Sequence, residues 1–302
     1  MHTYDMYKVI SVGRLIPIYL YFSILMMAVL VVPSSAIGQE KLTAEDVVNK
    51  HLESLGEVSV RDPARSRTAK GSSLMTLKTG GSGQASGPAI MKSKDGSMVI
   101  DATFDSPDYP YELITFDGKQ LTVKQFRPGA RSPLGEFFLA FDEIFKEGLV
   151  GGALTSSWSM LHVTERRPKL KLEKMDKIDG RPVHRIKYEP RKGSDLRITL
   201  YFDVEDFRHV RTEYERSVAA QSARIGSPSP TGSSSAQQET RFRVVENYSD
   251  FVTAAGLTLP KTYAIEYSIF SRSPVVIEWV FNFDEFAFNQ PFQAADIKAD
   301  KK

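Results

Sequence analysis

Hydrophobic positions along this chain of 302 residues change their spacing twice, from one unbroken run to helical spacing and then to strict alternation. The unbroken run comes first. Residues 15–33, Leu15 to Pro33, carry no charge and follow Lys8 and Arg14. Ser34-Ser35-Ala36-Ile37-Gly38 comes next, and Ala36 and Gly38 give the small-x-small pattern of a signal-peptidase site. This predicts an exported chain, residues 1–38 being a signal peptide cut after Gly38. The alternative is an uncleaved anchor, because the run is long enough to span a bilayer.

Helical spacing follows. Thr43 is the expected N-cap, with Asp46 at the third helical position and Leu42 and Val47 as a hydrophobic staple. Val48, Leu52 and Leu55 form the apolar stripe, and Gly56 stops the helix. His51 lies beside that stripe and reads as a surface residue.

Alternation then dominates. Met98, Ile100, Ala102 and Phe104 share one phase, as do Leu196, Ile198, Leu200 and Phe202. Tyr263, Ile265, Tyr267 and Ile269 repeat it, and so do Val275, Ile277, Trp279, Phe281 and Phe283. Asp95-Gly96, Asp117-Gly118 and Asp179-Gly180 stand between such runs as hairpin signals. The pattern predicts a mainly β (α+β) domain: a single antiparallel meander with one wet face and helices covering the other.

A second helical stripe supplies that cover. Leu134, Phe137, Phe138, Phe141 and Phe145 fall at i, i+3, i+4, i+7 and i+11, after Ser132 as N-cap and Pro133 at the first helical position. Gly148, Gly151 and Gly152 end the helix, and a short apolar piece continues through Leu154, Trp158 and Leu161. Residues 80–87 read as a flexible hairpin tip and residues 221–238, rich in Ser, Gly, Pro and Gln, as a disordered loop.

Composition narrows the chemistry. The chain has no cysteine, so disulfides, thiolate metal sites and cysteine nucleophiles are excluded. The net charge of +2 argues against nucleic acid as a partner, and Arg166-Arg167-Pro168-Lys169 reads as a solvated loop. No G-x-S-x-G, H-E-x-x-H or P-loop occurs, and the histidines have no metal-ligand spacing. His184 and His209 each read as either a buried or a surface strand residue. Asp203, Glu205 and Asp206 read as turn residues and Asp284 and Glu285 as a polar strand end. Asn247-Tyr248-Ser249 is a chance sequon in a strand. No cofactor and no catalytic residue is expected. The positive signal is a surplus of apolar side chains: Leu134, Phe137, Phe138, Phe141 and Phe145 on the helix, with Trp279, Phe281 and Phe283 on the last strand. Together they suggest an apolar cavity for a ligand.

Leu42-Thr43-Ala44-Glu45-Asp46-Val47-Val48, Phe116-Asp117-Gly118-Lys119, Ile178-Asp179-Gly180-Arg181-Pro182, Ile198-Thr199-Leu200-Tyr201-Phe202-Asp203 and Gly256-Leu257-Thr258-Leu259-Pro260 occur in an order and spacing that resembles the periplasmic lipoprotein-sorting proteins, the outer-membrane lipoprotein carrier superfamily. The resemblance spans nearly all of residues 39–302. It implies an unclosed, strongly curved β-barrel around a lid, with 134–147 as the lid helix and an acyl chain shielded against the Phe stripe. It also implies an arginine near the start of the sheet that holds the lid, matched by Arg65 or Arg67. The expectation is a non-enzymatic periplasmic binding protein, monomeric, whose cargo is an acyl chain or lipoprotein. The alternative is an envelope interaction or sensor module of the same fold with a protein partner. Cell fractionation tests the export signal: a soluble product beginning at Gln39 is expected, and a membrane-bound product retaining Met1–Gly38 contradicts cleavage.

Overall fold

The computed structural model describes residues 42–79, 83–218, 240–270 and 274–292. The expected signal peptide, residues 1–38, residues 80–82 of the glycine tract and the 221–238 segment lie outside the described residues. Helix α1 (Ala44–Leu55) opens the domain. Its capping box is complete: Thr43 Oγ1 accepts from the Asp46 N–H at 3.1 Å, and Asp46 accepts from the Thr43 N–H at 2.8 Å. A single turn, α2 (Val58–Arg61), leads into the sheet.

Five strands follow: β1 (Ser66–Thr79), β2 (Gly83–Lys94), β3 (Ser97–Thr103), β4 (Tyr111–Phe116) and β5 (Leu121–Val123). A largely non-strand segment, residues 124–168, crosses next. Then come β6 (Lys169–Leu172), β7 (Asp176–Ile178), β8 (Arg181–Glu189), β9 (Arg197–Asp203), β10 (His209–Val218), β11 (Thr240–Ala254), β12 (Leu257–Phe270) and β13 (Val275–Phe288). Among the described residues these form one antiparallel, unclosed, curved sheet in the order β5-β4-β3-β2-β1-β13-β12-β11-β10-β9-β8-β6, with β7 also on β8.

That order corrects the simple meander. The first and last strands pair at the centre, Ser73 opposite Phe281 and Met75 opposite Trp279. The two edges, β5 and β6, are therefore consecutive in the chain. Residues 124–168 must span from one edge to the other, and we call them the strap.

The glycine tract also differs from expectation. Residues 83–87 are part of β2 and pair with β1. A Cβ on Gly87 would lie 2.0 Å from the Thr103 carbonyl oxygen, so glycine serves close approach there rather than flexibility.

The strap begins with α3 (Pro133–Ala140), capped by Ser132 Oγ on the Gly135 N–H at 2.8 Å. The expected single helix breaks at Phe141 (φ −131°, ψ 50°) and restarts as α4 (Glu143–Lys146). In a straight helix residues seven apart sit about 10 Å apart along the axis. The break brings the Phe138 and Phe145 rings edge to face at 5.1 Å. It leaves Phe141 only half-buried. Two 3-10 turns, Gly152–Leu154 and Ser159–His162, and α5 (Val163–Arg166) complete the strap. Arg166 is not simply solvated: it donates to the Lys146 and Ser157 carbonyls.

Gly148 has φ +65°, and a Cβ there would lie 1.9 Å from the Ser157 carbonyl oxygen. Gly148→Ala is expected to destabilise the fold by about 2 kcal/mol or more. At the open Asp95-Gly96 turn, with nothing within 4 Å of a Cβ, Gly96→Asn should cost less than about 1 kcal/mol. Urea unfolding of the two variants checks the contrast; equal losses would contradict the close packing at Gly148.

Candidate functional site

The inward face of the sheet is apolar except where it meets the strap. Strand register sets Arg67, Ala69, Gly71, Ser73 and Met75 of β1 on the face that carries Phe283, Phe281 and Trp279. On β11, Val244, Glu246 and Tyr248 share it with Tyr267, Ile265 and Tyr263. Arg67 and Glu246 are therefore charged residues inside an apolar phase, and both are buried.

Each is spent on the strap backbone. Arg67 Nη1 donates to the carbonyls of Ala153 and Thr155, the latter at 3.1 Å. Glu246 Oε1 accepts the Gly151 N–H at 2.8 Å and the Tyr263 hydroxyl, and Oε2 accepts the Tyr214 hydroxyl at 2.6 Å. Ser93 of β2 adds a third bond, accepting the Ser156 N–H at 2.9 Å. Of Arg65 and Arg67, only Arg67 contacts the strap among the described residues; Arg65 is exposed. Burial lowers the Arg67 pKa to about 10, with help from the Arg61 charge, so it stays a cation at neutral pH.

The far half of the strap is fixed by aromatic chemistry. Trp158 Nε1 donates to His51 Nε2 at 3.0 Å, and His51 Nδ1 faces the Phe207 carbonyl at 3.0 Å. An indole nitrogen only donates, so His51 accepts at Nε2 and carries its proton at Nδ1. The surface position expected for His51 is thus wrong. It occupies the helix stripe with Val47, Val48 and Leu55 because Trp158 requires a buried acceptor. His209 is buried too and stacks on Trp158 at 4.6 Å, and His184 stacks on Phe207 at 5.3 Å. Ser159 and Glu147 both hydrogen-bond the Tyr188 hydroxyl, at 2.9 and 2.6 Å.

The residues marked by the sequence fall into two groups. Phe137, Phe138 and Phe145 of the strap are buried with Leu134. They meet the sheet through Phe116–Phe145 at 5.8 Å and Phe137–Tyr267 at 6.2 Å. Phe141 packs on Phe137 at 4.9 Å. Phe281 and Phe283 instead join a ladder of stacked rings with Tyr248 and Tyr263 along the sheet. Trp279 donates to the Tyr109 hydroxyl at 2.9 Å, and Tyr109 donates to Glu112. Burial raises the Glu112 pKa to about 6. Asp203 and Asp206 are turn acceptors, and Asp284 and Glu285 pair with Lys261 and Lys70.

Sequence reasoning missed Glu246, Ser93 and the buried state of His51. The signal was a polar residue in an apolar phase: Glu246 stands between Val244 and Tyr248. Among the described residues no group of His, Cys, Asp and Glu is arranged to hold a metal, and no helix is long and apolar enough to cross a membrane.

No family model and no curated protein matches the chain. Solved structures do align with it. A LolA superfamily protein from Nitrosomonas europaea covers 85% of this chain and 97% of its own, at 12% identity and a TM-score of 0.44. A putative outer membrane lipoprotein-sorting protein domain from Vibrio parahaemolyticus covers 84% and 97%, at 12% identity and 0.40. A DUF1329 family protein from Desulfovibrio piger covers 85% and 97%, at 9% identity and 0.39.

Burial lowers the His51 pKa from 6.5 to about 4, against the opposing pull of the Phe207 carbonyl. Between those values the unfolded chain binds a proton that the folded chain refuses. The His51 contribution is therefore complete above about pH 6.5 and declines toward pH 4, by about 3 kcal/mol in full. Glu112 acts in the opposite sense: its folded pKa is the higher one, so its contribution is lost as pH rises from 4.5 to about 6. Comparison with His51→Gln isolates the histidine. The stability gap between wild type and variant should narrow by about 2 kcal/mol or more from pH 7 to pH 4.5; a constant gap in urea unfolding would contradict a neutral buried His51.

Proposed function

We propose that this chain is a non-enzymatic binding protein of the cell envelope that shields an acyl chain, or a lipid-linked cargo, between the strap and the sheet. The ligand-contacting residues are Leu134, Phe137, Phe138, Phe141 and Phe145 of the strap, with Trp279, Phe281 and Phe283 of β13.

One contrast along the strap supports this reading. Residues 151–159 are fixed by directional hydrogen bonds to β1, β2, β8, β11 and α1. Residues 137–145 meet the sheet mainly through ring contacts. Ring contacts are non-directional, so a hydrocarbon chain can replace them without leaving a buried polar group unpaired. The rings fill their own space in the ligand-free fold, and an acyl chain enters by displacing them. About 0.8 kcal/mol per buried methylene is the driving force. The polar anchors hold the rest of the strap meanwhile.

A protein partner added as a strand finds little template. The edge strands β5, β6 and β7 have only 3, 4 and 3 residues.

Phe141→Asp tests the acyl reading, because its half-buried position tolerates a carboxylate better than the core does. Affinity for a fluorescent fatty-acid probe should fall by about tenfold, while the melting temperature should drop by only about 2–4 °C. Unchanged probe affinity in the folded variant would refute the acyl site. Solvent extraction of the purified protein with mass spectrometry identifies any lipid that it carries.

A further inference from the structure

A cleft of about 780 Å³ opens beside the strap, where α2 leads into β1. Its walls are α2, the first residues of β1, the β2–β3 turn and residues 156–166. Four arginines line it: Arg61, Arg65, Arg67 and Arg166. Asp62, Asp95 and Glu165 share the lining.

The arginines are unusual in what they bind. Arg61 donates to the Leu52 and Gly56 carbonyls, Arg67 to those of Ala153 and Thr155, and Arg166 to those of Lys146 and Ser157. The Arg65 side chain is exposed and has no hydrogen bond among the described residues. Several arginines elsewhere in the sheet sit in ion pairs, such as Arg185 with Glu173 and Arg243 with Glu213, but none of these four does among the described residues. Nε of Arg67 and Nε of Arg166 are buried with no acceptor among the described residues. The four cations outnumber the three carboxylates of the lining, none of which pairs with them among the described residues, and like charges brought together repel one another. An oxyanion in the cleft relieves that repulsion, and the planar guanidinium fork suits phosphate and carboxylate oxygens.

We propose that this cleft is a binding site for an anionic group of the phosphate or carboxylate class, contacted by Arg65 and Arg166, with Arg67 shared between the anion and the strap. Arg67 is the link to the rest of the fold. An anion that draws its guanidinium toward the cleft weakens the bonds to Ala153 and Thr155. The anion is either free in solution or the headgroup of an amphiphile. The site does not depend on the acyl reading, since its lining is separate from the Phe stripe.

Calorimetric titration of the purified chain with inorganic phosphate, dodecyl phosphate and dodecyl maltoside tests the proposal. Dodecyl phosphate should bind about tenfold or more weakly to Arg65→Gln/Arg166→Gln than to wild type. Arg181→Gln, an exposed site outside the cleft, should bind like wild type. Binding of both phosphate probes marks a free-anion site, and binding of dodecyl phosphate alone marks a headgroup site; both support the proposal if the double variant loses affinity. Equal affinity in wild type and double variant, or no binding of either phosphate probe, overturns it. If the double variant does not fold, Arg65→Gln decides alone, and unchanged affinity overturns the site. Dodecyl maltoside contains no anion, so its binding reports the acyl site independently: binding of the maltoside with no phosphate effect removes the cleft and keeps the acyl reading.

Discussion

The buried backbone of the strap is the constraint around which this fold is arranged. Residues 148–160 are almost entirely buried, yet they form only 3-10 turns and irregular chain. Irregular backbone cannot satisfy its own N–H and C=O groups as a helix does, and a buried group left unpaired is costly. The sheet must provide the partners. Arg67, Ser93 and Glu246 do so from three different strands, each from an inward position where the alternation calls for an apolar side chain. Removing any of them leaves a buried peptide group without a partner, so these polar residues determine where the strap lies and in what register it crosses.

The strap has two kinds of attachment as a result. Its irregular half is held at points with fixed directions: a guanidinium, a carboxylate, a hydroxyl and the His51–Trp158 pair. Its helical half satisfies its own backbone and presents Phe137, Phe138 and Phe145 to the sheet. The first half resists displacement because each bond is specific. The second half exchanges one apolar neighbour for another at little cost. The helix break at Phe141 belongs to the same division, since it folds the Phe stripe back on itself while the chain heads toward the anchored loop.

Features set by adjacent residues were legible in the sequence. Asp95-Gly96 and Asp179-Gly180 adopt left-handed φ at both positions, 46° and 87°, and 50° and 83°, which is why those dipeptides announced hairpins. The Thr43–Asp46 box and the Ser132-Pro133 start formed as their local chemistry dictates. Features set by distant residues were not legible. The pairing of β1 with β13 leaves no local mark, because either strand alternates the same way whichever neighbour it has. His51 could be told from a surface histidine only by knowing that Trp158, 107 residues further on, would need its lone pair. The Phe stripe was visible, but the break at Phe141 interrupts a helical spacing that continues through Phe145 and so leaves no mark in it.

The central pairing of β1 with β13 also fixes an order of assembly. The two stacks that flank it, β1 to β5 and β6 to β12, can each form by local hairpins as the chain emerges. The join between them has to wait for β13, the last strand of the sheet. Until then β1 and β12 are long edges open on one side, 14 residues each, and β12 carries aromatic and aliphatic side chains on one face. Such edges recruit strands from other molecules, and pairings this distant in sequence form slowly. The period before β13 docks is therefore when this chain is most prone to aggregate. A holdase that covers β1 and β12 during that interval would raise the yield of folded protein without altering its final stability.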